Sequence, residues 1–249
     1  MTSASRPVLL VTGGGRGIGA ATARLAAKRG YRVCVNYRAD ERAAHQLAEQ
    51  LGHNAIAVQG DVAIEADVVR LFKTVDDKLG HLDVLVNNAG IVDRSSRVEN
   101  LSAERIQRML AVNVTGSFLC AREAVKRMST KHGGKGGTIV NVSSMAAKLG
   151  GAGDYVDYAA SKGAIDSLTV GLAKEVGAEG IRVNAVRPGV IRTEIHATSG
   201  DPGRVERIGA SAPLQRGGDA EEVARAILWL ASAEASYITG ALLDVSGGR

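Results

Sequence analysis

The chain has 249 residues, 45% of them hydrophobic and 23% charged, with 31 glycines scattered among apolar runs; this excludes a disordered or low-complexity protein and admits one large α/β domain. The net charge of +5 is interspersed with acidic residues along helical stretches and not gathered into a stripe, so no nucleic-acid partner is expected. Met1 to Pro7 hold no apolar signal core, and no run approaches the roughly 18 apolar residues of a membrane span, so a soluble, cytoplasmic chain with no membrane partner is expected.

Val8 to Val11 is a short, continuous apolar run ended by Thr12 and Gly13, the pattern of a strand buried on both faces of a parallel sheet. Similar runs recur at Arg32 to Val35, Ala55 to Val58, Leu82 to Val86, Thr138 to Val142, Ile181 to Val186 and Ala241 to Val245. Helical patterns lie between them: Ile18 to Lys28, Glu41 to Leu51, Glu65 to Leu79, Ala103 to Met128, Val156 to Ala178 and Glu221 to Leu230. Asp219 to Glu222 has the form of a capping box opening the last of these. Cys34 falls in a strand run and Cys120 in a helical one, with no spacing that suggests a metal site or a disulfide framework. The alternation predicts a single-domain, Rossmann-like doubly wound sheet of about seven parallel strands over residues 1–249, with helices on both faces. One stretch, 189–218, breaks the rhythm. It shows no strand and only a weak helical pattern, and Pro188, Pro202 and Pro213 lie at or beside it. A connection this long suits a lid over a ligand, with a disordered crossover loop as the alternative.

Tyr158 and Lys162 stand four apart on a helical stretch, so they share a face. An ammonium beside a phenol favours the phenolate, which predicts a lowered pKa and a usable proton donor or acceptor near neutral pH. The glycines of Thr12 to Gly19 follow the first strand and open the first helix, where they let the backbone approach a pyrophosphate at a helix N-terminus. At the end of the second strand, where an acidic residue would hold a ribose 2′-hydroxyl, the chain reads Asn36, Tyr37, Arg38. Arg38, with Arg16 from the glycine loop, matches the oxygens of a 2′-phosphate and favours NADP(H) over NAD(H). The alternative leaves Arg38 solvated and makes Asp40 a helix cap, with NAD(H) still possible.

Taken together these motifs resemble the short-chain dehydrogenase/reductase family over nearly the whole chain. The pattern Thr12-Gly13-x-x-x-Gly17-Ile18-Gly19 is similar to its cofactor loop, and Asn87-Asn88-Ala89-Gly90 to its motif after the fourth strand. Asn113, Ser144, Tyr158 and Lys162 match its catalytic tetrad, Asp61 and Val62 its adenine contact, and Pro188-Gly189 the end of its sixth strand.

The resemblance implies roles. Tyr158 would be the general acid for carbonyl reduction and the base for alcohol oxidation. Lys162 would lower its pKa and hold the nicotinamide ribose. Ser144 would bind the substrate oxygen, with the adjacent Ser143 as an alternative because the interval to Tyr158 is one residue longer than usual. Asn113 would hold a water in a proton relay. Gly13, Gly15, Arg16, Gly17, Ile18, Gly19, Tyr37, Arg38, Asp61, Val62, Asn88, Ala89 and Gly90 would line the cofactor with Tyr158 and Lys162. Pro188, Gly189, Val190, Ile191 and Thr193 would complete its site. The expected activity is NADPH-dependent reduction of a ketone, with sugar or polyol oxidation or a non-catalytic dinucleotide sensor as alternatives. A pocket for a small-molecule carbonyl or alcohol would be bounded by Met145, Gly150 to Tyr155, Val190 and the lid, in which His196, Asp201, Arg204 and Arg207 stand. The family resemblance also implies a homotetramer.

Overall fold

The computed structural model describes residues 6–194 and 203–249. Its core is one seven-stranded sheet in the order β3-β2-β1-β4-β5-β6-β9, with every pairing parallel. The strands are β1 (Val8–Val11), β2 (Arg32–Tyr37), β3 (Ala55–Gln59), β4 (Val84–Asn87), β5 (Gly137–Val142), β6 (Ile181–Pro188) and β9 (Leu242–Val245). Helices α1 (Gly17–Lys28), α2 (Glu41–Leu51) and α9 (Ala220–Ala231) cover one face. The other carries α3 (Glu65–Leu79), α5 (Gly116–Met128) and α7 (Val156–Val176).

Side chains alternate across each strand, so the continuous apolar runs feed two cores at once. Leu9, Val11, Val33, Val86 and Val140 pack with Ala23, Leu47 and Ile227 on one face. Leu10, Cys34, Leu85, Ile139 and Val183 pack with Phe72, Cys120 and Val176 on the other. Full burial of one such side chain is worth about 1.5–3 kcal/mol, whereas an exposed ion pair is worth about 0–1 kcal/mol. The two cores, and not the many surface ion pairs, therefore hold the domain. Both thiols are fully buried and unpaired, and burial raises the Cys120 thiol to about 12.

Helix ends follow local chemistry. Asp40 caps α2 by accepting the Ala43 N–H at 3.1 Å. The expected box at α9 is present, and Arg216 adds a two-pronged contact that holds the Glu222 carboxyl at about 2. The helical stretch predicted as one run is α4 (Ala103–Leu110), a π turn (Ala111–Thr115) and α5. β4 starts at Val84, later than predicted, and just before it Asp83 Oδ2 accepts the Val8 N–H at 2.7 Å.

The expectation of no strand in 189–218 is corrected. Ile191–Arg192 (β7) pairs in parallel with Gly218–Asp219 (β8). A Cβ at Gly218 would stand 2.8 Å from Ile191 Cδ1, so this bridge rests on a residue with no side chain and has no apolar run to announce it. A short helix, α8 (Arg204–Gly209), lies between them. Ile195, His196, Asp201 and Pro202 of the expected lid lie outside the described residues. Among the described residues no helix is long and apolar enough to cross a membrane.

One buried ion pair ties the start of α7 to α4. Arg105 places Nε 2.8 Å from Asp157 Oδ2 and Nη2 3.2 Å from Oδ1, and its Nη1 donates to the Arg94 carbonyl. The two side chains are 14% and 3% exposed. Asp157→Ala leaves the guanidinium buried and unpaired, and urea unfolding is expected to register a loss of roughly 3 kcal/mol.

Candidate functional site

In a parallel sheet every strand ends at the same edge. Here the order reverses beside β1, whose neighbours are β2 and β4, so the loops after β1 and β4 part and leave a crevice. A cavity of about 720 Å³ opens there. Of the residues expected to hold a dinucleotide, all but Gly19 line it; of the expected catalytic four, all but Asn113 do.

The glycine loop forms one end. Gly13 and Gly17 take φ of +59° and +54°, a region side chains disfavour. Asn36, inside β2, fixes the loop: Gly13 N–H donates to its Oδ1 at 3.3 Å and Gly14 N–H to its carbonyl at 2.8 Å. Its Nδ2 donates onward to the Gly60 carbonyl at 3.0 Å. Asn88 Nδ2 donates to the carbonyls of Thr12 and Gly13, while the Thr12 hydroxyl accepts the N–H groups of Asn88 and Ala89. Gly19 stands behind this knot, where a Cβ would meet Asn88 Nδ2 at 2.6 Å. The first turn of α1 has neither a side-chain cap nor an acidic residue. Its free N–H groups and the positive end of its dipole face the cavity at Gly17 and Ile18, a fit for a diphosphate.

At the end of β2, Asp40 is committed to capping α2. Arg38 extends over the cavity, 62% exposed, with Nη1 3.7 Å from Asp61 Oδ2. Arg16 is exposed on the same rim. Tyr37 is buried, its hydroxyl 3.4 Å from His45 Nε2.

The other end belongs to α7. Lys162 is 4% exposed, and its Nζ donates to the Val142 carbonyl at 2.7 Å and lies 5.7 Å from the centre of the Tyr158 ring. Gly90 makes room for it, since a Cβ there would stand 3.4 Å from both Lys162 Nζ and Asn113 Oδ1. Ser144 lines the cavity with Tyr158, its Oγ accepting the Ala146 N–H at 3.1 Å. Ser143 instead donates to the Lys162 carbonyl at 3.2 Å and is buried. Asn113, on the π turn, is fully buried. Its Oδ1 accepts the Ile91 N–H at 2.8 Å, and its Nδ2 lies 3.0 Å from both the Ile91 carbonyl and Ser161 Oγ. It thus ties the loop after β4 to α7.

The pKa predicted from helical spacing is corrected in direction. Burial raises the Tyr158 phenol above its ordinary value, and the counter-pull comes from Ser144. The ammonium is itself held down to about 8 by burial, against the charge of Asp166 one turn on. Sequence reasoning also passed over Asn36 as a scaffold. Its signal was an amide in an otherwise apolar strand run.

Lys162 carries a pH signature. Its folded pKa lies below the unfolded one, so between them the unfolded chain binds more protons and the stability contribution of this group rises with pH. The stability difference between Lys162→Met and the parent, followed by urea unfolding, is expected to be greatest in the variant's favour below pH of about 8 and to shrink as the pH rises toward the ordinary lysine value.

Comparison with known proteins agrees with this geometry. A family described as enoyl-(acyl carrier protein) reductase matches residues 13–249. The uncharacterised oxidoreductase YgfF of Escherichia coli K12 is 58% identical over 245 residues, covering 97% of this chain and 99% of that protein. Glucose 1-dehydrogenase 2 of Bacillus subtilis is 40% identical, covering 96% and 93%. The crystal structure of a 3-ketoacyl-(acyl-carrier-protein) reductase from Brucella melitensis complexed with NADH superposes with a TM-score of 0.92 at 34% identity, covering 98% of each chain. With a glycine cradle at one end of its cavity and Ser144, Tyr158 and Lys162 at the other, the chain belongs to the short-chain dehydrogenase/reductase family of oxidoreductases.

Proposed function

We propose that the chain is an NADPH-dependent ketoreductase, reducing a small or medium carbonyl substrate to a secondary alcohol. The observation that carries this reading is the meeting of Ser144, Tyr158 and Lys162 in one cavity with the uncapped N-terminus of α1. The backbone of Gly13, Gly15, Gly17 and Ile18 would hold the diphosphate, and Asp61 and Val62 the adenine end. Ala89, Gly90 and Pro188 to Thr193 would flank the nicotinamide, which when bound supplies the hydride. Tyr158, a phenol that carries its proton at neutral pH, passes it to the carbonyl oxygen as that oxygen gains an electron pair. Ser144 donates a hydrogen bond to the same oxygen as its charge grows. Lys162 commits one of its three donors to Val142 and keeps two for the ribose hydroxyls. Asn113 would steady the loop after β4 at the entry of a proton relay.

The NADPH preference rests on Arg38 and Arg16 at a rim where Asp40 is spent on a cap. The Brucella reductase was solved with NADH, so both nucleotides belong in the test. The similarity to glucose 1-dehydrogenase 2 supports a second reading, oxidation of a sugar or polyol at the same residues. Two buried, unpaired thiols suit a cytoplasmic setting. Exposed Phe118, Leu110 and Ile106 on α4 and α5 suit the homotetramer that the family resemblance implies.

A panel of ketones assayed with NADPH tests the activity. Tyr158→Phe is expected to lower turnover by roughly a hundredfold or more while nucleotide affinity stays within about twofold; retained turnover would remove the proposed acid. Arg38→Gln is expected to weaken NADPH by roughly tenfold and NADH hardly at all, followed by nicotinamide fluorescence. Equal losses would sink the 2′-phosphate assignment.

A further inference from the structure

One charge beside the site has no task in this scheme. Asp166 stands one turn beyond Lys162 on α7, so Tyr158, Lys162 and Asp166 form a stripe at four-residue spacing along one face of that helix. The buried Lys162 reaches the Val142 carbonyl at the end of β5. Asp166 reaches the next strand, β6, where its Oδ2 accepts Arg187 Nε at 3.0 Å and Nη2 at 2.8 Å. Val142 and Val186 are register partners, so Arg187 directly follows the residue beside the lysine's anchor. Ammonium and carboxylate thus share one helix face and are anchored to adjacent strands at nearly the same level.

The other elements around Lys162 bring neutral groups to it. β5 brings the Val142 carbonyl, the loop after β4 brings Gly90, and the π turn brings the Asn113 amide. The charged and titratable groups are Tyr158 and Asp166 on α7 itself and Arg187 on β6. Beyond Arg187 lies Asp244 of β9, 3.5 Å from its Nη1, and Asp244 also meets Lys148 at 3.4 Å. Among the described residues, Asp166 is the acid whose charge acts on the lysine. A buried ammonium is costly without such a partner.

The Asp166 and Arg187 side chains are 12% and 17% exposed, and both contacts fall on Oδ2, which leaves Oδ1 buried without a hydrogen-bond partner. As a structural tie alone this is a poor arrangement, because a buried oxygen without a bond is unfavourable. An amide oxygen could accept from the guanidinium equally well. What aspartate adds over asparagine here is its charge.

We infer that Asp166, held by Arg187, is a positioning residue that supplies the counter-charge of Lys162 and so keeps the ammonium protonated for the ribose hydroxyls and for Tyr158. Asp166 touches neither substrate nor cofactor and acts through the lysine. Its bearing on turnover rests on the ketoreductase reading.

The test follows kcat/KM for NADPH, which reports the free enzyme, from about pH 6 to about pH 10. Burial holds the ammonium at about 8 against the pull of Asp166, so the parent is expected to lose activity as the pH rises past that value. Asp166→Asn keeps the shape of the side chain and removes the charge, and Lys162 then loses its proton at lower pH. The alkaline limb is expected to move down by roughly one pH unit, about a tenfold loss above the limb, with little loss at about pH 6 where the ammonium is charged in both proteins. NADPH affinity, followed by nicotinamide fluorescence over the same range, is expected to show the same displacement, and none when Asp166→Asn is made in a Lys162→Met background. Asp166→Leu combined with Arg187→Met replaces the pair by apolar groups, which buried sites often tolerate, and is expected to move the limb in the same direction. A uniform loss with the limb in place, or a displacement that persists without Lys162, would overturn the assignment and leave Asp166 a structural role. If the parent reduces no ketone with NADPH, the ketoreductase reading falls, and the affinity series decides on Asp166 by itself.

Discussion

Seven strands running the same way is the constraint from which the rest of the molecule follows. It puts every carboxyl end at one edge of the sheet, and the reversal of order beside β1 opens that edge at one place. The loops that meet there carry backbone groups that neither strand nor helix can satisfy. Asn36, Thr12 and Asn88 satisfy some of them from side chains rooted in or beside three adjacent strands. The uncapped first turn of α1 is what remains, and it faces the cavity. An anion site here is thus a by-product of how the sheet is wound, sharpened by glycines where a Cβ would collide.

The same edge explains the electrostatics at the far end of the cavity. Lys162 can reach the Val142 carbonyl because α7 packs back across β5, and that packing strips the ammonium of water. Burial then acts on both members of the pair in opposite senses: it makes the ammonium more acidic and the phenol less so.

Much of the fold was legible because strands buried on both faces write themselves as unbroken apolar runs, and β1, β2 and β5 do so plainly. The glycine loop was legible because its residue type is the constraint. Other features left weaker traces. A two-residue strand such as β7 has no period to detect, and its partner is a glycine. The π turn at Asn113 looks like ordinary helix in sequence, since one extra residue per turn does not disturb a short apolar pattern. Spacing placed Lys162 beside Tyr158 but said nothing of burial, which reversed the direction of the phenol's shift. Adjacency in sequence holds no information about how Ser143 and Ser144 differ: Ser143 is buried and donates to the Lys162 carbonyl, while Ser144 is half-buried.

The wall at α8 is built to stand. A Cβ at Gly209 would meet Gly217 N at 2.4 Å, and one at Gly217 would meet Val205 at the same distance, so the two ends of this segment are crimped together. Arg204 then bolts the helix to Asp154 across the cavity mouth. A wall of this kind discriminates by shape and by the groups it presents, with little contribution from loop closure at this point. Efforts to redirect the enzyme toward other substrates would do better to exchange side chains on α8, beginning with Ile208, than to lengthen or loosen the chain that carries it.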